Sequence, residues 1–140
     1  MEKIKIAVIE DNYSLGKNIM EILQIFNFEV QLYRSSKDAK KSIYNYLPDL
    51  ILADIHIFDG NCLSELLKIR SHKTMKYIPL IILTGDSDFD ELKFKELNIS
   101  EKLIKPIATE YLINRIRNHI IKKNNFIKRL LNKDFSKSHK

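Results

Sequence analysis

KIKIAVIEDN, residues 3–12, decides the fold. From Lys3 to Ile9 the stretch is short and rich in Ile and Val, as befits a strand buried on both faces of a parallel sheet, and it stops at two neighbouring acids, Glu10 and Asp11. The same pattern recurs down the chain. Leu50 to Ala53 (LILA) stops at Asp54, Pro79 to Leu83 (PLIIL) stops at Thr84, and a fifth apolar run precedes Lys105-Pro106. Phe28 to Tyr33 (FEVQLY) alternates apolar and polar side chains, which suits a strand nearer the sheet edge. Ligands of open α/β sheets bind beyond the carboxyl ends of the strands, so three carboxylates, a hydroxyl and an ammonium are expected along one edge. That set suits a divalent cation and a phosphoryl group.

Between the strands lie stretches with helical spacing: Ile19, Ile22, Leu23 and Phe26; then Ala39, Ile43 and Leu47; then Leu63, Leu66, Leu67 and Ile69. Strand then helix, repeated five times, predicts an α/β fold, a doubly wound five-stranded parallel sheet flanked by five helices. Ser35 or Ser36 caps the second helix, with Asp38 in its first turn, and Ser87 caps the fourth, with Asp90 three residues on. Asn98 falls where that fourth helix must stop, and Asn is the usual non-glycine residue for a left-handed helix end. Pro106 cannot continue a ladder and leads into a last helix from about Thr109.

At 140 residues the chain is long enough for one domain with a proper core. The single Cys62 excludes an internal disulfide, no apolar run approaches spanning length, and MEKIKI lacks a leader pattern, so a cytoplasmic protein with no membrane partner is expected. His72, His119 and His139 stand at no metal-ligand spacing and read as exposed helix or tail residues. The net charge of +6 is concentrated at one end: residues 121–140 carry Lys122, Lys123, Lys128, Arg129, Lys133, Lys137 and Lys140 against Asp134 alone. The rest of the chain is balanced. Direct nucleic-acid binding is therefore not indicated for the folded body.

Glu10-Asp11, Asp54, Thr84-Gly85 and Lys105-Pro106, at the ends of the first, third, fourth and fifth strands, together resemble the receiver domain of bacterial two-component response regulators, a flavodoxin-like fold. The resemblance covers roughly residues 3–121, leaving 122–140 as a basic helical extension or linker. It implies a phosphoacceptor signalling domain rather than an enzyme, one that catalyses only its own phosphorylation and dephosphorylation. A sensor histidine kinase would donate the phosphoryl group to Asp54 and so switch the conformation that controls an output or partner. It also implies that the backbone carbonyl of His56 is a metal ligand.

The chemistry fits these residues. Magnesium favours oxygen ligands and usually takes one or two carboxylates with phosphate oxygens, so Asp11 and Asp54 suit Mg²⁺, with Glu10 acting through a water. Without a cation, three acids so close repel one another. Asp54 becomes a useful nucleophile once the incoming oxygens are neutralised. Lys105 then pairs with one phosphoryl oxygen, Thr84 donates its hydroxyl to another, and the N–H of Gly85 approaches a third without a side chain in the way.

Three positions depart from the family pattern. The loop Ile55-His56-Ile57-Phe58-Asp59-Gly60 is two residues short and lacks the usual proline. Lys102 stands where the family commonly has a Tyr or Phe that rotates inward, an atypical switch position because its ammonium must stay wet. Asp86 adds a negative charge near the phosphoryl entrance.

Other functions fit less well. A dinucleotide-binding enzyme would need glycines where Glu10 and Asp11 stand, since two acids repel a pyrophosphate. A phosphatase with an aspartyl nucleophile would usually place another Asp where His56 stands. The alternative that survives is a receiver-like interaction module that signals without phosphorylation, as the short loop and Lys102 would suit. Past Ile121 the last helix continues: Ile113, Ile116, Ile120, Ile127 and Leu130 recur at coiled-coil steps interrupted by Lys123, as expected of a homodimer seam or of a frayed basic tail.

Overall fold

The computed structural model describes residues 2–54, 60–85 and 95–138. In chain order the elements are β1 (Lys5–Ile9), α1 (Tyr13–Ile25), β2 (Glu29–Tyr33), α2 (Ser36–Tyr46), β3 (Leu50–Asp54), α3 (Gly60–Ser71), β4 (Leu80–Thr84), a 3-10 turn (Lys95–Leu97), β5 (Glu101–Ile104) and α4 (Thr109–Ser138). All strands are parallel, in the order β2-β1-β3-β4-β5. The alternating FEVQLY run is indeed an edge strand. The helix expected between β4 and β5, with Ser87 and Asp90, lies outside the described residues, so four α-helices rather than five are described.

The sheet is wound on both faces because its strand residues divide by parity. Ala7, Ile9, Ile51, Ala53, Leu80 and Ile82 point to one side and pack with Ala39 and Ile43 of α2 and Leu66 and Ile69 of α3. Ile6, Val8, Leu50, Leu52, Ile81 and Leu83 point to the other and pack with Leu23 of α1 and Leu112, Ile113 and Ile116 of α4. Continuous apolar runs are what a strand needs when both neighbours are helices.

Helix ends have local causes. Asn12 caps α1, its side chain accepting from Leu15 N–H at 3.1 Å, and Ser35 caps α2 through Asp38 N–H at 3.1 Å. With three glycines in the chain, the left-handed turns fall to other residues: Asn27 at φ 72°, Leu47 at φ 51° and Asn98 at φ 53°. Leu47, expected on the apolar face of α2, is instead its half-exposed C-cap. Asn98 takes the conformation expected of it.

One buried cation joins the β4 end of the fold. Arg70 of α3 donates from Nε to Leu97 O at 3.0 Å, from one terminal nitrogen to Met75 O and Ile78 O, and from the other to Asn98 O. Those carbonyls lie in turns that no ladder satisfies, so the guanidinium completes the backbone hydrogen bonding there. Burial lowers its pKa to about 10. Nothing in the periodicity of α3 marked this arginine.

Candidate functional site

The strand order reverses between β1 and β3, and the crevice beyond their carboxyl ends is where such sheets hold ligands. Ile9 is paired with Ala53, so Glu10 and Asp54 leave adjacent strands side by side. Glu10 is held by its own N–H, which donates to Tyr33 O at 2.9 Å, and by Asn12 N–H, which donates to its Oε1 at 3.0 Å. Its Oε2 is enclosed with no hydrogen-bond donor. Asp54 is also buried, whereas Asp11 is exposed at the rim.

Lys105 reaches this pair from the far side of the sheet. Its Nζ forms an ion pair with Asp54 Oδ2, joining residues 51 positions apart, while its N–H donates to Thr84 O at 2.8 Å. Thr84 is buried at the end of β4, in register with Ile104, and the Lys105–Pro106 peptide is cis. Gly85 follows Thr84, and a Cβ built on it meets nothing within 4 Å, so the backbone there borders open space. The sequence therefore named Glu10, Asp11, Asp54, Thr84, Gly85 and Lys105 as neighbours, and the fold brings their strand ends together. His56 lies outside the described residues, as do the loop through Asp59 and Asp86. Lys102 stands on β5 opposite Ile82, partly buried.

The electrostatics of Glu10 test whether a cation suits the crevice. Burial, then the Asp54 carboxyl and Asp11, push its pKa from 4.5 up to about 8, against the opposing pull of the Asn12 N–H. A carboxylate oxygen with no donor, next to a second buried carboxylate, is a donor set that a hard cation completes. Among the described residues no three acids close into a ready-made cage. The arrangement fits a metal that shares its coordination with water and phosphoryl oxygens, as magnesium does.

Two residues, one at the site and one at the opposite end of the sheet, gave no signal in the sequence. Gly16, inside α1, lets the helix ride close over Glu10: a Cβ there would stand 2.9 Å from Leu32 Cδ1 and 3.3 Å from Glu10 Cβ. A glycine within a helix that pays no turn was the available clue. His119 was expected to be exposed, and the structure corrects this. It lies on the inward face of α4, one position before Ile120, where its Nε2 is 2.6 Å from Glu101 Oε1; Arg115 Nε donates to the same oxygen at 2.7 Å. Three residues after the buried Ile116, position 119 is on the same helical face, a spacing that could have placed it.

Comparison with known proteins agrees with this fold. The profile of the response regulator receiver domain matches residues 6–117. Response regulator ArlR of Staphylococcus saprophyticus is 30% identical over 114 residues, covering 81% of this chain and 50% of that protein. The chain thus spans about half the length of such curated relatives. A response regulator receiver domain protein of Clostridium thermocellum superposes with a TM-score of 0.76 at 29% identity, covering 88% of this chain and 98% of the other. The receiver domain of the Pseudomonas aeruginosa sensor histidine kinase PA1611, whose active-site cleft coordinates a magnesium ion, has the same fold, with a TM-score of 0.73 at 23% identity over 85% of this chain and 98% of its own. This chain belongs to the response regulator receiver domain family.

Proposed function

We propose that the protein accepts a phosphoryl group on Asp54 from a sensor histidine kinase, with Mg²⁺ held by Asp11 and Asp54, by Glu10 through water, and by the carbonyl of His56. The observation that carries the reading is the ion pair of Lys105 with Asp54, a lysine from the last strand end aimed at the one buried aspartate of the third. When bound, the cation neutralises the incoming phosphoryl oxygens, which lets an anionic carboxylate attack. The Asp54 oxygen would bond to phosphorus as the phosphorus–nitrogen bond of the kinase's phosphohistidine breaks and its imidazole leaves, while the Lys105 ammonium shifts its ion pair from the carboxylate to a phosphoryl oxygen and Thr84 and the Gly85 N–H bind the others. Drawing Lys105 and Thr84 towards the phosphoryl group moves the ends of β4 and β5. Lys102, partly buried on β5, takes the place of the swinging ring, so the signal travels chiefly through Thr84 and Lys105.

An apolar groove of about 460 Å³ adjoins the site, with Leu15 and Ile19 of α1 on one wall and Pro106 and Leu112 on the other. It offers a kinase a surface beside Asp54. Residues 1–121 form the signalling body in this reading, with 122–140 as its extension, in a cytoplasmic setting where the kinase works. Acetyl phosphate with Mg²⁺ is expected to add one phosphoryl group to the wild type and none to Asp54→Asn, read by intact mass. No adduct on the wild type, or an equal adduct on the variant, would replace this reading with an interaction module that signals without phosphorylation.

A further inference from the structure

α4 is 30 residues long, and only its first part has a place in the fold. Leu112, Ile113, Ile116 and Ile120 are buried against the sheet. Beyond them the helix continues from Ile121 to Ser138, about 27 Å at 1.5 Å per residue. Its large apolar side chains do not stop there. Phe126 is 49% exposed, Ile127 40%, Leu130 47% and Leu131 62%, far more than a solvated helix needs. They recur at positions i, i+1, i+4 and i+5 and so share one arc. Lys122, Arg129 and Lys133, at steps of seven and four, share the neighbouring arc and are exposed.

Tyr77, 67% exposed on the turn before β4, extends the apolar surface onto the body. Between that turn and the helix runs a groove of about 560 Å³, with Ile78, Pro79, Phe126 and Leu130 among its apolar walls. Lys76, Lys122 and Lys123 also line it, and no acidic side chain does.

We propose that the extension of α4 is an in-plane docking helix for an anionic lipid surface. The charge pattern selects among occupants. A second copy would bring two tails, each with seven basic residues and one acid, within a screening length of each other. A nucleic acid would engage the basic arc and leave four large apolar side chains in water. A bilayer of anionic lipid uses both arcs at once: the lysines and arginine meet headgroup phosphates while Phe126, Ile127, Leu130 and Leu131 enter the acyl boundary. No described helix is long and apolar enough to cross a membrane, and a helix lying in the surface needs no such length.

The chain has no tryptophan, so Phe126→Trp places a single reporter on the apolar arc. With the full chain, vesicles of phosphatidylcholine and phosphatidylglycerol at 70:30 are expected to co-sediment the protein and shift the reporter emission to the blue. Phosphatidylcholine alone is expected to do neither. Lys122→Gln with Arg129→Gln and Lys133→Gln should weaken binding at least tenfold, as should Phe126→Ser with Leu130→Ser, while both variants keep wild-type acetyl phosphate labelling as a check on the fold. Binding equal on neutral vesicles, no binding to anionic ones, or binding with an unshifted reporter would overturn the proposal. So would a dimer at micromolar concentration that is lost in Phe126→Ser with Leu130→Ser.

Discussion

Glu10 and Glu101 are acids drawn largely out of water at opposite ends of the sheet, and they meet opposite surroundings. Glu10, at the carboxyl end of β1, has Asp54 and Asp11 for neighbours and a carboxylate oxygen without a donor, and its pKa rises to about 8. Glu101, at the amino end of β5, is also pushed up by burial, but hydrogen bonds from His119 and Arg115 outweigh this and hold it below the ordinary carboxylate range. The fold has met the charge of one acid internally and has left one oxygen of the other without a donor. That contrast separates a structural ion pair from a candidate binding site.

The largest effect expected from this contrast is the response to metal. In the proposed reading Mg²⁺ binds the folded crevice and scarcely the unfolded chain, so a hundredfold excess over Kd should stabilise the protein by about 2.7 kcal/mol. Asp11→Asn should reduce that gain. A melting temperature indifferent to Mg²⁺ and EDTA would erase the distinction between the two acids.

Next in size is the loss of the internal pair. Glu101→Ala leaves the half-buried Arg115 and the buried His119 without their acceptor and should cost about 2 kcal/mol in urea unfolding, with the Mg²⁺ response intact. A change within experimental error would mean that the pair holds nothing together. Glu10→Gln is expected to behave in the reverse way, stabilising the metal-free protein and blunting its response to Mg²⁺.

Smallest per pH unit is the slope of stability with pH, and its sign differs at the two sites. Without metal, the folded state keeps a proton on Glu10 that the unfolded chain releases near 4.5, so stability should fall as pH rises from about 4.5 to about 8. The slope is at most about 1.4 kcal/mol per pH unit, and Glu10→Gln should remove it. At Glu101 the folded pKa is lowered, so its contribution is present above the unfolded value of 4.5 and is lost as pH falls through the folded one. Unfolding curves at successive pH values with EDTA, repeated on Glu10→Gln and Glu101→Ala, would assign each limb. A metal-free profile that rises between 4.5 and 8 would contradict the assignment of Glu10.

The positions of Glu10, Asp54, Thr84 and Lys105 were legible because strand ends are legible. An apolar run bounded by a polar residue fixes where a buried strand must stop, and parallel topology collects the carboxyl ends on one edge. The same local logic placed Asn98 in a left-handed turn and began the last helix at Thr109. Periodicity along α4 could not say where burial ends. Ile120 and Leu130 carry the same kind of side chain at helical spacing, yet one is buried against the sheet and the other stands in solvent. Which turns of a helix have a sheet beneath them depends on the length of that sheet, a property of the assembled chain.

By itself the sequence determined the parallel α/β order, the edge placement of β2 and the gathering of acids, hydroxyl and ammonium at one edge, because these follow from hydrophobic period and chain direction. Only the tertiary structure decided that one carboxylate oxygen of Glu10 lacks a donor while Glu101 meets both Arg115 and His119, that Gly16 lets α1 close over the crevice, and that Arg70 completes the turns around β4. Each of these is a meeting of groups remote in sequence, and whether a buried charge is satisfied depends on what other elements bring within a few ångströms of it.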